Sequence, residues 1–188
     1  MEDNSSTVAP QPSIKAPGHV LPKPSTELSP AMVLPFQFIA TTFGVAETSA
    51  QVSLSSAPAI TKLASSYRHA QLVECSAVIS PTYLAIANPI TINLVWVPAN
   101  STASPSDILN VFGGASFTFG GAITTTKSIT VPLPIDSINP MLKDSVLYVD
   151  TPKLLAYSAA PPVVLKAPSA SIQIRGKIRL SSPLLQSS

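Results

Sequence analysis

The chain has 188 residues, 45% of them hydrophobic and only 11% charged, with a formal net charge of +2, whereas a soluble domain usually carries about 25% charged residues. That length and apolar content fit one well-filled core with apolar surface to spare, and the twenty Pro and seven Gly argue against a helical bundle and for short strands joined by turns. The lone Cys75 excludes an internal disulfide.

In chain order, residues 1–35 come first, with Pro at 10, 12, 17, 22, 24, 30 and 35 and no helical pattern. Such a segment reads as an extended, polyproline-like arm, ordered only against something else. Its charges are Glu2, Asp3, Lys15, Lys23 and Glu27, a net of minus one, and a nucleic-acid-binding tail would be a block of Lys and Arg. MEDNSSTVAP lacks the basic and apolar regions of a secretory signal, so the chain reads as an unprocessed intracellular product. On that reading Asn4 and Asn100 match the glycosylation acceptor pattern without meeting its machinery.

From Phe36 to Ser188 the text becomes strands: FQFIATTF, AQLVECSAVIS, TINLVWV, SFTF, SITVPL, SVLYV, KLLAYSA and ASIQIRGKIRL. About eight β-branched and apolar runs divided by Pro, Gly, Asn and Ser have the rhythm of an all-β sandwich or jelly roll. Two short helical pieces are expected within it. SPSDILNVFGG offers Ser104 or Ser106 as N-cap and Gly113 as a stop, and NPMLKD suits one turn after Asn139. No charge interrupts the chain between Glu74 and Asp107, yet Pro81, Pro89, Pro98 and Pro105 do. A spanning helix needs about 20 predominantly apolar residues, so that stretch is not one.

Reactive groups are scarce. One Cys and two His, one of them in the arm, supply no zinc spacing. A Ser-His-Asp triad would have to use His69, and there is no G-x-S-x-G elbow. GGASFTFGG (113–121) lacks both G-x-G-x-x-G and a P-loop Lys; its glycine pairs read as bends around a short strand. No catalytic, cofactor or metal site is therefore expected. Near the C-terminal end Arg175, Lys177 and Arg179 alternate with Ile174, Ile178 and Leu180. A strand there would turn one cationic face outward, either an RNA-facing surface or a charged guard on a sheet edge.

YRHAQLVEC, LVWVPANST, VFGGASFTFGGAI, MLKDSVLYVDTPKLLAYS and IRLSSPLLQ, in that order, resemble the coat proteins of tymoviruses. SPAMVLPFQFIATTFGVAETSAQVSL extends the likeness to the physalis mottle and belladonna mottle group, and the resemblance runs from about residue 13 onward. It implies an eight-stranded jelly-roll β-sandwich with an extended Pro-rich N-terminal arm. It further implies pentamers and hexamers in a T=3 icosahedral shell around positive-strand genomic RNA, found in the virion and assembled inside a host plant cell. Polyamines would act as RNA counterions, because a net charge of +2 cannot neutralise the enclosed phosphates.

Within that reading, His19 and His69 are candidate RNA contacts, since a His side chain gains charge near pH 6.5. RNA retention should then weaken above neutral pH. Arg175, Lys177 and Arg179 join them as RNA candidates. Tyr67 and Arg68 are expected at subunit contacts, where aromatic and Arg side chains dominate the energetics. Lys143, Asp144, Asp150 and Lys153 are candidates for pairs between subunits, and Trp96 for the core first and an interface anchor second. The other reading of the same fold is a monomeric or small-oligomer module that binds carbohydrate or peptide.

Overall fold

The computed structural model describes residues 30–121 and 127–184; residues 1–29 of the expected arm over 1–35, and His19 among them, lie outside them. Nine strands run through the described residues: β1 (Ala31–Phe43), β2 (Thr48–Ser53), β3 (Tyr67–Pro81), β4 (Ile90–Pro98), β5 (Ala115–Phe119), β6 (Ile129–Pro132), β7 (Met141–Lys143), β8 (Pro152–Ser158) and β9 (Ala170–Pro183). Helices α1 (Pro58–Ala64) and α2 (Leu84–Ala87) and a 3-10 segment (Pro105–Asn110) fill connections between them. One antiparallel sheet has the order β1-β9-β3-β6, with β7 also paired to β3, and the other has the order β2-β8-β4-β5. Two packed sheets of four principal strands in this arrangement make a jelly roll.

Alternation decides which side chains meet between the sheets. Leu34, Phe36 and Phe38 of β1, Ile172, Ile174, Ile178 and Leu180 of β9 and Leu72, Cys75, Ala77 and Ile79 of β3 face Ile90, Ile92, Leu94 and Trp96 of β4 and Leu154 and Ala156 of β8 across one core. The run LVWV in β4 does not alternate because both of its faces are covered. Val95 and Val97, with Leu155 of β8, pack under Ile108 of the 3-10 segment in a second, smaller cluster. Ser104 caps that segment, and Asp107 returns the bond in a capping box.

β3 and β9 form the longest pairing, interrupted once where the register slips at Val73 between Leu72/Ile178 and Glu74/Lys177. Gly176 sits beside the slip, and a Cβ there would overlap the carbonyl oxygen of Glu74. Only glycine lets the two backbones close at this bulge.

The connections divide between two ends of the sandwich. At one end Ser169 N–H donates to the Phe43 carbonyl, Thr82 N–H to that of Ser169 and Gly121 N–H to that of Ile86. At the other, Leu54 N–H donates to the Pro152 carbonyl, Ala99 N–H to that of Thr151 and the Lys143 ammonium to that of Ala64. The second end gathers residues 54–66, 99–114 and 133–151, and β1 enters from it.

Several expectations need correction. The strand begins at Ala31, so the arm boundary placed after residue 35 falls inside β1. Pro35 is tolerated because β1 is an edge strand, where a residue without an N–H costs little. The stretch 145–149 is not a strand but an exposed loop, turned by Asp144, whose carboxylate accepts from the Ser145 N–H at 2.6 Å and the Tyr148 hydroxyl at 3.2 Å. The turn expected in NPMLKD is instead β7, drawn out by pairing with Ala70 and Gln71 of β3. β9 lies between β1 and β3, so its charges guard no edge.

Ile108 is sealed between the 3-10 segment and the outer side of β4 and β8. Ile108→Ala should lower the unfolding free energy of the isolated chain by about 2–5 kcal/mol, the range for emptying a full aliphatic site, read as a shifted urea midpoint with an unchanged slope.

Candidate interaction surfaces

Three surfaces gather the side chains singled out above. The first is the end of the sandwich that carries β7 and the start of β3. His69, one-third exposed, places Nδ1 at 2.6 Å from Asp144 Oδ1. The Ser145 N–H is the main influence holding the Asp144 carboxyl below its ordinary value of 3.8; His69 and Tyr148 add to it, against partial desolvation. The reciprocal contact raises the Tyr148 phenol. Lys143 donates to the Ala64 carbonyl at 3.0 Å, and Asp150 accepts from Asn139 Nδ2 at 3.0 Å. Lys153 reaches the carbonyls of Ala99 and Ser101 at 3.4 and 3.3 Å. All four charges considered for pairs between subunits thus have partners within their own chain.

Tyr67 is half-buried against the core, its hydroxyl 3.9 Å from Met32 Sδ. Arg68 beside it is exposed. The strand therefore turns the two types of interface residue to different environments, and brings Tyr67 and Met32 together from β3 and β1.

The second surface is the outer face of the first sheet. Arg175, Lys177 and Arg179 are all exposed on β9, and Ile174, Ile178 and Leu180 are buried beneath them, as the alternation implies. Opposite Arg175 stand Gln37 and Ser76, opposite Lys177 stand Pro35 and Glu74, and opposite Arg179 stand Val33 and Gln71. Lys177 Nζ lies 2.9 Å from Glu74 Oε1, with both side chains more than half exposed, so the pair is screened and contributes about 0–1 kcal/mol. Among the described residues Arg175 and Arg179 have no acidic partner within salt-bridge distance. An open groove of about 740 Å³ runs along this face, lined by Gln37, Ser76, Thr130, Arg175 and Lys177 among others. Cys75 also borders it, but burial pushes its thiol up to about 12, so it is a poor nucleophile.

The third is apolar. Phe112 and Leu147 project almost fully into solvent, and Val146 and Val149 flank Leu147. Trp96, 5% exposed, belongs to the core, and its indole N–H donates to the Val131 carbonyl at 3.3 Å, tying β4 of one sheet to β6 of the other. No group of three His, Cys, Asp or Glu side chains comes together among the described residues. The exposed apolar tips 112 and 147 carry no signal in the sequence, because exposure is a property of loop geometry and the apolar, β-branched SVLYV has the composition of a strand.

The two-sheet jelly roll is an architecture shared by viral coat subunits and lectins. The model of the family described as tymovirus coat protein matches residues 9–188. The chain is 64% identical over 186 residues to the capsid protein of Eggplant mosaic virus, covering 99% of each. It is 65% identical over 175 residues to the capsid protein of Physalis mottle virus, covering 93% of each. It is also similar to the structure of Desmodium yellow mottle tymovirus, with a TM-score of 0.84 and 40% identity over 89% of this chain and 96% of that one. The chain belongs to the tymovirus coat protein family.

Asp144 supplies a test of the first surface. Its native pKa lies below the unfolded one, so its contribution to stability is complete above the unfolded value and fades as pH falls through the native one. The stability gap between the wild type and Asp144→Asn should be largest above about pH 5 and close as the solution is acidified toward the native pKa, measured by urea unfolding of the unassembled subunit across that range.

Proposed function

We propose that copies of this chain assemble into a closed T=3 icosahedral shell and package a positive-strand RNA genome inside a plant cell. Membership in a family of coat proteins carries this reading. The surface chemistry supports it: Lys143, Asp144, Asp150 and Lys153 are engaged within the subunit, so none of these four ions is stranded when a subunit contact desolvates the end that carries β7. Tyr67 and Arg68 lie beside it and serve the same contact.

RNA meets the subunit through few cations. Arg175 and Arg179, without acidic partners among the described residues, and Lys177, held by Glu74, offer a small net positive face. His69 keeps its second ring nitrogen for such a contact while Nδ1 holds Asp144. With a net charge of +2 per chain, most phosphates must be neutralised by small cations, and polyamines fit that need.

The decisive measurement is sedimentation and electron microscopy of the expressed intact chain. Closed spherical particles are expected. A well-folded monomer or dimer at high concentration, with or without RNA, would instead favour the carbohydrate- or peptide-binding module. In particles that form, replacing Arg175 and Arg179 with Gln should lower the RNA-to-protein ratio without opening the shell. An unchanged ratio would remove the β9 face from the RNA contact.

A further inference from the structure

We propose that Leu147, at the tip of the 144–150 loop, plugs an apolar socket on a neighbouring copy of the chain, making a head-to-tail contact that repeats around the assembly. This inference rests on the coat-subunit reading above. The socket has a volume of about 390 Å³, and its lining includes the buried Trp96 and Ile138, the half-buried Val111 and, toward solvent, the exposed Phe112, Pro134 and Ser137. Among the described residues, every side chain that lines it is uncharged.

The plug is its chemical match. Leu147 is 90% exposed and stands between Val146 and Val149, both also exposed. The carboxylates that bracket the tip, Asp144 and Asp150, are bonded to Ser145, His69, Tyr148 and Asn139 of the same chain. Burying the tip therefore strands no free charge. Within one subunit Leu147 does not occupy the socket, because it projects into solvent.

Plug and socket are two different patches toward the same end of the sandwich, the plug within 144–150 and the socket within 96–113 and 131–138. A contact between unlike patches of identical chains is heterologous. It leaves each copy with one plug and one socket to pass on, and so closes into rings when the rotation permits. Apolar anchors seated in a pocket at the centre of an interface carry a disproportionate share of its energy, and Phe112 at the rim excludes water from around the plug.

Cross-linking tests the pairing directly. In particles of the full-length Leu147→Cys/Ser137→Cys variant, mild oxidation should give a ladder of covalent dimers, trimers and higher species on a non-reducing gel. Neither single variant should give the ladder, and mixed particles of the two should stop at dimers. Cys75, buried and held protonated, takes no part. A second variant, Leu147→Asp, should lower the yield of closed particles by about tenfold or more, the cost of losing one buried anchor, while the unassembled subunit unfolds at the wild-type urea midpoint; Leu147→Met should restore assembly. Particles without a ladder, or full assembly of Leu147→Asp, would overturn the inference, and so would covalent dimers from the Leu147→Cys single variant, which would set two plugs against each other. A ladder that appears only after residues 1–29 are deleted would mean that the arm fills the socket, which also overturns it. Failure of the wild type to form particles would instead overturn the coat-subunit reading.

Discussion

The antiparallel pairing of β3 with β9 is the constraint on which the rest of the subunit hangs. It runs from Tyr67/Pro183 at one end of the sandwich to Pro81/Ala170 at the other. Because side chains alternate along a strand, this one ladder sets two surfaces at once. Its inner positions supply Ile172, Ile174, Ile178, Leu180, Ala77 and Ile79 to the core. Its outer positions carry Arg175, Lys177 and Arg179 beside Ser76, Glu74 and Gln71. A one-residue slip anywhere along it would exchange the two faces, and the bulge at Val73, accommodated by Gly176, is where the register is pinned.

Scarcity of charge organises the remaining surface. In a chain where 11% of residues are charged, the ions near β7 are turned inward to carbonyls, an amide and one another instead of being left in water. Lys143 and Lys153 close loops by donating to main-chain oxygens, and His69 and Asp144 fasten the start of β3 to the loop after β7. What these segments then present outward is apolar. Ions satisfied in this way can be covered by a copy of the chain without that neighbour having to supply a counter-charge.

Much of this was legible in the amino-acid order. Apolar and β-branched runs located β1, β3, β4 and β9, the glycine pairs around 113 and 120 marked the bends that bracket β5, and Ser104 with Pro105 announced the capped segment. The expected count of eight principal strands holds, but its membership changes. TSAQVS, small and polar, becomes β2 because β8 offers it a partner along its length, whereas SVLYV, apolar and β-branched, stays a loop because Asp144 turns its backbone away. Pairing partners are not written in local composition. The helix α1 did leave a signal, Pro58 at its first turn and Ile60 and Ala64 one turn apart facing the core. The cationic face was legible as a pattern, but its position on an interior strand was not. The partners of Lys143, Asp150 and Lys153 are main-chain carbonyls and an amide that only the folded chain brings near.

Trp96 closes the space between the sheets and is held to β6 by its indole N–H. It is also the sole tryptophan in the chain. Excited apart from the four tyrosines, the indole emission of the subunit therefore comes from one environment only, at the seam of its sandwich. Separation of the two sheets wets the ring and moves its emission to longer wavelength, while motions confined to the opposite end of the sandwich leave it dark to the change. Opening of the seam and loosening of the distant loops are thus optically distinguishable in the unlabelled protein.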